Sequence, residues 1–187
     1  MSRDKKKKKS FYYDQDFKKI DFRKNSEKYR IGRGEQGVLS VEPYKSEILP
    51  YWRFKNPEIA TESSEKIFEM FEQYKKDKDF VGMDMARKFL QMGWTRSRRY
   101  ANHPSGRKYS DEDKDNAPIV KKSEVPDYKD PRNRKHYVVT KTKKIRPLQE
   151  DPVKAESARI FYKKYVEARE DPLYKKMKEE HKLKYEQ

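Results

Sequence analysis

Apolar residues recur at helical spacing in separate stretches of this chain. In "NPEIATESSEKIFEMFEQYKK", Ala60, Ser64, Ile67, Phe71 and Tyr74 return every three or four positions, flanked by Phe68 and Met70, the pattern of an amphipathic helix. Asn56 is placed to cap it, with Pro57 at its first position. After the polar bridge "KDKD", Asp79 is placed to cap a second helix, "FVGMDMARKFLQM", with Val81, Met85, Phe89 and Met92 on one stripe. Gly93 stands where a left-handed stop is wanted. Thr95 then caps a short third helix, "RSRRYA", that ends before Pro104. Farther on, Asp151-Pro152 opens a helix with Val153, Ser157, Phe161, Tyr165 and Ala168 on one face. Asp171-Pro172 restarts it, with Leu173, Met177, His181 and Tyr185 continuing.

The N-terminal third reads differently. Phe11, Tyr12, Tyr13, Phe17 and Phe22 interleave with Asp and Lys. The stretch "VLSVEPYKSEILPYWRF" holds two short β-prone pieces broken by Pro43 and Pro50, which predicts edge strands or extended wraps. The expected fold class is therefore mainly α with a few short N-terminal strands (α+β), a small helical domain with charged tails. The expected organisation is a basic tail over 1–10 and a core domain over 11–110, extended or β-like over 11–55 with three helices over 56–103. A charged linker over 111–150, with one β-like piece at "HYVVTKTKKI", and C-terminal helices over 151–187 complete it.

Composition sharpens this picture. Hydrophobic residues make up 33% of the 187 and charged residues 43%, where ordinary domains carry about 25% charged. Such a chain supports a core of about one hundred residues with solvated or partner-bound segments around it. Lys and Arg number 48 against 32 acids, a net charge of +16, which favours a polyanionic partner. With no cysteine and three histidines, disulfides and thiol chemistry are excluded and a structural zinc is disfavoured. No apolar run approaches the roughly 20 residues that span a bilayer, and no signal-peptide core follows the Lys5–Lys9 run. The chain reads as intracellular, cytoplasmic or nuclear, without a membrane partner and without a cofactor; its oligomeric state is not legible.

Gly32, Gly34 and Gly37 in "YRIGRGEQGVLSVEPYK" have the G-x-G-x-x-G spacing of nucleotide-binding loops. A dinucleotide fingerprint needs a buried strand before the first glycine and a helix after the last. Here polar "RKNSEKYRI" precedes it and an extended piece follows. A kinase loop needs a valine two positions after the third glycine, but Val38 follows Gly37 directly, and no H-R-D or D-F-G set is present. The turn reads instead as a close approach of bare backbone to another group. Arg30 and Arg33 stand beside it, with forks suited to phosphate or carboxylate.

The strongest candidate site is "MARKFLQMGWTRSRRYANHPSGRKYS", residues 85–110, which contains no Asp or Glu. Arg87, Lys88, Arg96, Arg98, Arg99, Arg107 and Lys108 interleave there with Trp94, Tyr100 and Tyr109, the combination used for phosphate contact with base stacking. A helix–glycine–helix reading invites a helix-turn-helix, but Phe89 and Arg99 fall where small or buried residues are needed. The bland alternatives are a solvated face, or arginines paired internally with Asp84 or nearby glutamates; Asp84 and Lys88 have the spacing of a helix ion pair. Glu35, Glu42 and Asp84 are the carboxylates available to a metal-dependent nucleic-acid-modifying enzyme, though no spacing singles them out.

Two long motifs, "YRIGRGEQGVLSVEPYKSEILPYWRFKNPEIA" and "DFVGMDMARKFLQMGWTRSRRYANHPSGRKY", resemble an uncharacterised family of small intracellular proteins of bacteria, fungi and tailed phages. It is catalogued as domain of unknown function forty-three eighty-five. The resemblance runs from Asp16 to Tyr109 and resumes at "DPVKAESARIFYKKY"; it implies no activity. Trp94 stands where the family leads one to expect Phe or Tyr. The expectation is non-catalytic binding of a nucleic acid, RNA slightly preferred over DNA, through Arg33 and the basic window. The alternative is a structural component of a large ribonucleoprotein or nucleoprotein assembly.

Overall fold

The computed structural model describes residues 17, 19–107 and 150–186. The Lys5–Lys9 tail, Phe11, Tyr12, Tyr13, Lys108, Tyr109 and the charged linker through "HYVVTKTKKI" lie outside the described residues. The elements are α1 (Tyr44–Ile48), α2 (Pro57–Lys76), α3 (Phe80–Asn102), α4 (Pro152–Glu170) and α5 (Pro172–Tyr185), with single 3-10 turns at Ser26–Lys28, Leu49–Tyr51 and Pro104–Gly106. Of the described residues, 17, 19–98 and 152–186 fall in one compact unit and 99–107 with 150–151 in a second.

Among the described residues there is no strand, so the expected short N-terminal strands are not present. The stretch with the β-prone pieces forms turns, α1 and the Leu49–Tyr51 turn. Its buried positions, Val38, Val41, Tyr44 and Ile48, are three or four residues apart, the period of a helical face and not of a strand. Both prolines sit where helical turns tolerate them: Pro43 just before α1 and Pro50 in the first positions of the 3-10 turn. The β propensity of Val and Ile is a fit to a pleated surface, and no neighbouring strand supplies one here.

Helix α2 begins as its sequence predicts. The Asn56 side chain accepts from the Ile59 amide at 3.0 Å and Pro57 takes the first position. Its buried face is Ala60, Ser63, Ser64, Ile67, Phe71 and Tyr74. The Asp79 carboxylate accepts from the Gly82 amide at 3.0 Å and so caps α3. At the C-terminal end of the bundle, Asp171 caps α5 through the Tyr174 amide (2.9 Å) and also accepts from Lys75 at the end of α2 (2.6 Å).

Helix α3 is the axis of the first unit. Every residue from Val81 to Leu90 is buried, the signature of a helix packed on all sides. Phe80 stacks on Tyr174 of α5 (ring centroids 6.0 Å apart), and Phe89 meets Trp52 edge-on. The expected stop at Gly93 does not occur: α3 runs through it to Asn102, so the second and third expected helices are one. Gly93 lies against the ring of Phe161 on α4, and a Cβ there would fall inside that ring's contact distance. The glycine serves helix–helix approach, and nothing local obliges the chain to leave the α region. Helix α2 packs along α4, whose buried face is Ala155, Ser157, Ala158, Phe161, Tyr165 and Ala168. Val153, expected on that face, is exposed.

Candidate functional site

The glycine turn and the basic window meet, but in the interior. Gly34 (φ 58°) and Gly37 (φ 89°) adopt left-handed backbone, which residues with a Cβ rarely enter. That conformation lays the turn along α3 with its carbonyls facing two cations. The Lys88 ammonium donates to the Gln36 carbonyl at 2.9 Å, and Arg87 reaches the Gly34 carbonyl at 3.4 Å. On the same turn, Glu35 accepts a hydrogen bond from the Thr95 hydroxyl. The close approach expected of these glycines is therefore made to the protein's own central helix.

Arg87 and Lys88 close a buried ionic network around Asp84. Asp84 accepts from Arg87 Nε (3.0 Å) and from the hydroxyls of Tyr29 and Tyr174, the latter at 2.7 Å, with Lys88 Nζ at 3.1 Å. Lys88 Nζ also donates to the Tyr29 hydroxyl at 2.8 Å, so its three N–H groups find Asp84, Tyr29 and Gln36. Burial alone would raise the Asp84 carboxyl; the Lys88 and Arg87 charges and the two phenol bonds outweigh it and hold the carboxyl well below the usual range. Burial pulls the Lys88 ammonium down, and the Asp84 charge opposes it without fully compensating. With its acceptor sites filled and no exposed surface, Asp84 is a structural anion.

The remaining arginines of the window are on the surface. Arg33, Arg96, Arg98, Arg99 and Arg107 are all exposed, as is Tyr100. Arg33, Arg96 and Arg98 belong to the first unit, and Arg99, Tyr100 and Arg107 to the second. Arg30, beside the glycine turn, donates to the Glu27 carbonyl at 2.7 Å. Along α3, Gly93 and Ser97 turn inward and are buried, which leaves Arg96 and Arg98 on the outer side.

Trp94 is half-buried and faces α4. It stacks on Tyr165 (5.6 Å, 20° between planes) and meets Tyr162 at 4.7 Å and 55°. Trp94 and Arg98 of α3, with Ala155, Ala158, Arg159 and Tyr162 of α4, line an open cleft of about 240 Å³. Arg159 and Tyr162 escape sequence reasoning because they lie off the apolar stripe of α4. The available signal is an exposed aromatic three residues from an arginine on a helix that otherwise keeps its aromatics inside.

A larger cavity of about 660 Å³ lies near the start of α3. Arg23 sits at its edge, donating through both terminal guanidinium nitrogens to Glu47 (2.8 and 2.7 Å), with its Nε 3.5 Å from Asp79 and its charge over the Tyr44 ring. Glu42 is held by Lys45 at 2.7 Å. Among the described residues no cluster of His, Asp and Glu is arranged to hold a metal ion, and no helix is long and apolar enough to cross a membrane.

Residues 12–184 match the family described as Domain of unknown function (DUF4385), and the chain belongs to that family. No curated protein and no solved structure matches it. The family's description names no activity, so the functional reading rests on the surface of α3 and α4.

Proposed function

We propose that this protein binds nucleic acid without catalysis, single-stranded or structured RNA in preference to duplex DNA. The observation that carries the reading is the change in character along α3. Its first half buries Arg87 and Lys88 against Asp84, whereas past Met92 it presents Arg96, Arg98 and Arg99 on the surface. No acid occurs between Met85 and Ser110 to neutralise them within that segment. Aromatics accompany the exposed arginines, Trp94 in the first unit and Tyr100 in the second, which favours exposed bases over a closed duplex.

The expected signature is electrostatic. If the exposed arginines of the glycine turn and the basic window, 33, 96, 98, 99 and 107, each meet a phosphate, log K falls against log salt with a slope of roughly −3.5 on single strands. The experiment is fluorescence anisotropy of a labelled single-stranded RNA and of a duplex DNA of equal length over a range of salt. Salt-dependent binding tighter on the RNA supports the reading. No binding at low salt, or tight binding indifferent to salt, overturns it.

A further inference from the structure

Resting on that reading, we propose that the cleft between α3 and α4 is a pocket for one unstacked nucleobase, with Arg98 and Arg159 holding the phosphates beside it. The cleft has the required parts on separate walls. Tyr162 is 44% exposed, so its ring offers a face to a ligand while its other contacts are with Trp94 and Tyr165. Trp94 is fixed from behind by its stack on the buried Tyr165. Ala155 and Ala158 form the floor, and their single methyl groups leave depth that larger side chains would fill.

Charge and size both limit the occupant. One arginine comes from each helix, and among the described residues no acidic side chain lines the cleft. Glu156 binds one terminal nitrogen of Arg159 from outside the cleft, and the guanidinium has five N–H groups to distribute. At about 240 Å³ the cleft is smaller than the roughly 300–1,000 Å³ that encloses a whole small ligand; it suits a single ring with its backbone left outside. A base inside a duplex has both faces covered by its neighbours. Only an unpaired or extruded base can lay a face on Tyr162.

The test uses the full chain, a labelled single-stranded RNA, and a strand of the same length with abasic sugars. Loss of one stacked base corresponds to about 5- to 150-fold in affinity. The intact strand is expected to bind tighter than the abasic one by a factor in that range, and to quench tryptophan fluorescence when the abasic strand does not. Tyr162→Ala is expected to remove the advantage of the intact strand and leave abasic binding unchanged, while Tyr162→Trp retains it. Equal binding of both strands by the unaltered protein, or an advantage that survives Tyr162→Ala, overturns the base pocket and leaves phosphate binding standing. Failure of every strand to bind at low salt overturns the nucleic-acid reading itself, and the pocket with it.

Discussion

The Lys88 ammonium stands 3.1 Å from the Asp84 carboxylate, one turn apart on α3, and neither side chain has exposed surface. Breaking a buried pair leaves one charge desolvated without compensation, at a cost of about 3–5 kcal/mol. The two halves of the pair are not equivalent. Lys88→Met leaves Asp84 with Arg87 and two phenols, whereas Asp84→Asn leaves two cations facing each other. Asp84→Asn is expected to be the more destabilising, read as the larger fall in urea midpoint with an unchanged slope. The reverse order, or changes below about 1 kcal/mol for both, would show that the network is not what holds the glycine turn to α3.

The phenols give the protein an alkaline limit. Burial, with Asp84 beside Tyr29 and Tyr174, Asp79 beside Tyr44 and Glu47 beside Tyr74, pushes all four hydroxyls above the usual tyrosine range. In the unfolded chain they ionise near pH 10, where the folded state still binds the protons, so their contribution is full below that pH and is lost as pH rises past it. Lys88 works in the opposite direction, since burial lowers its ammonium, but it is one group against four. On the acid side, Asp84 and Glu47 are held below the usual carboxylate range, and that stability is lost progressively as pH falls below about 4, toward their depressed folded-state values. Melting temperature is expected to hold a plateau between these limits, and phenolate absorbance above pH 10 is expected to rise together with unfolding. Titration of all the tyrosines with the fold intact would contradict the burial of these four.

The legible parts of this fold are those where one local rule decides. Asn56-Pro57 and Asp171-Pro172 place helix starts because the capping oxygen and the missing proline N–H act within one turn. The strands expected around Pro43 and Pro50 are absent because β propensity needs a neighbour, while the spacing of Val38, Val41, Tyr44 and Ile48 already follows a helical period. Gly93 misleads for a related reason: its role is set by Phe161, a residue 68 positions away. Arg87 and Lys88 look like their exposed neighbours, because only the packing of the glycine turn and α5 onto α3 distinguishes an internal cation from a surface one. Tyr162 and Arg159 become a candidate site only when α4 lies beside α3.

At Lys78 backbone and side chain disagree. It has φ 53° at the end of α2, where the Asp79 amide bonds the Tyr74 carbonyl at 2.8 Å and the Lys78 amide bonds the Lys75 carbonyl at 3.1 Å. This is a Schellman ending with lysine in the left-handed place that glycine fits best. Relief of that conformation, less the greater unfolded entropy of glycine, gives an expected gain of about 0.5–1 kcal/mol for Lys78→Gly. A thermal melt measures it, and a loss of stability would mean that the lysine side chain contributes more than the backbone costs.

At Gly93 the sign is opposite. In the middle of a helix Gly→Ala ordinarily helps by about 1 kcal/mol, but the added methyl would overlap the Phe161 ring. Overpacking of this kind costs about 1–3 kcal/mol, so Gly93→Ala is expected to be neutral to destabilising and Gly93→Val clearly destabilising by denaturant unfolding. Pairing Gly93→Ala with Phe161→Leu is expected to recover part of the loss, since the shorter side chain vacates the contested space. A stabilising Gly93→Ala would place the two helices farther apart than described.

Arg87 and Arg96 lie nine residues apart on one helix and are expected to fail in different ways. Arg87 is buried on Asp84 at 2.9 Å, and Arg96 is exposed. Arg87→Ala removes a buried counter-charge, so its effect is on stability, in the range of about 3–5 kcal/mol. Arg96→Ala is a surface change and is expected to leave stability within about 0.5 kcal/mol. If Arg96 meets a phosphate, the same substitution weakens RNA binding and makes the salt slope shallower by about 0.7. Arg87→Ala, assayed well below its own melting temperature, is expected to leave that slope unchanged. The crossed pattern separates a cation that builds the protein from one that faces a polyanion. A slope that responds to Arg87→Ala and ignores Arg96→Ala would mean that α3 presents a different face to RNA from the one proposed.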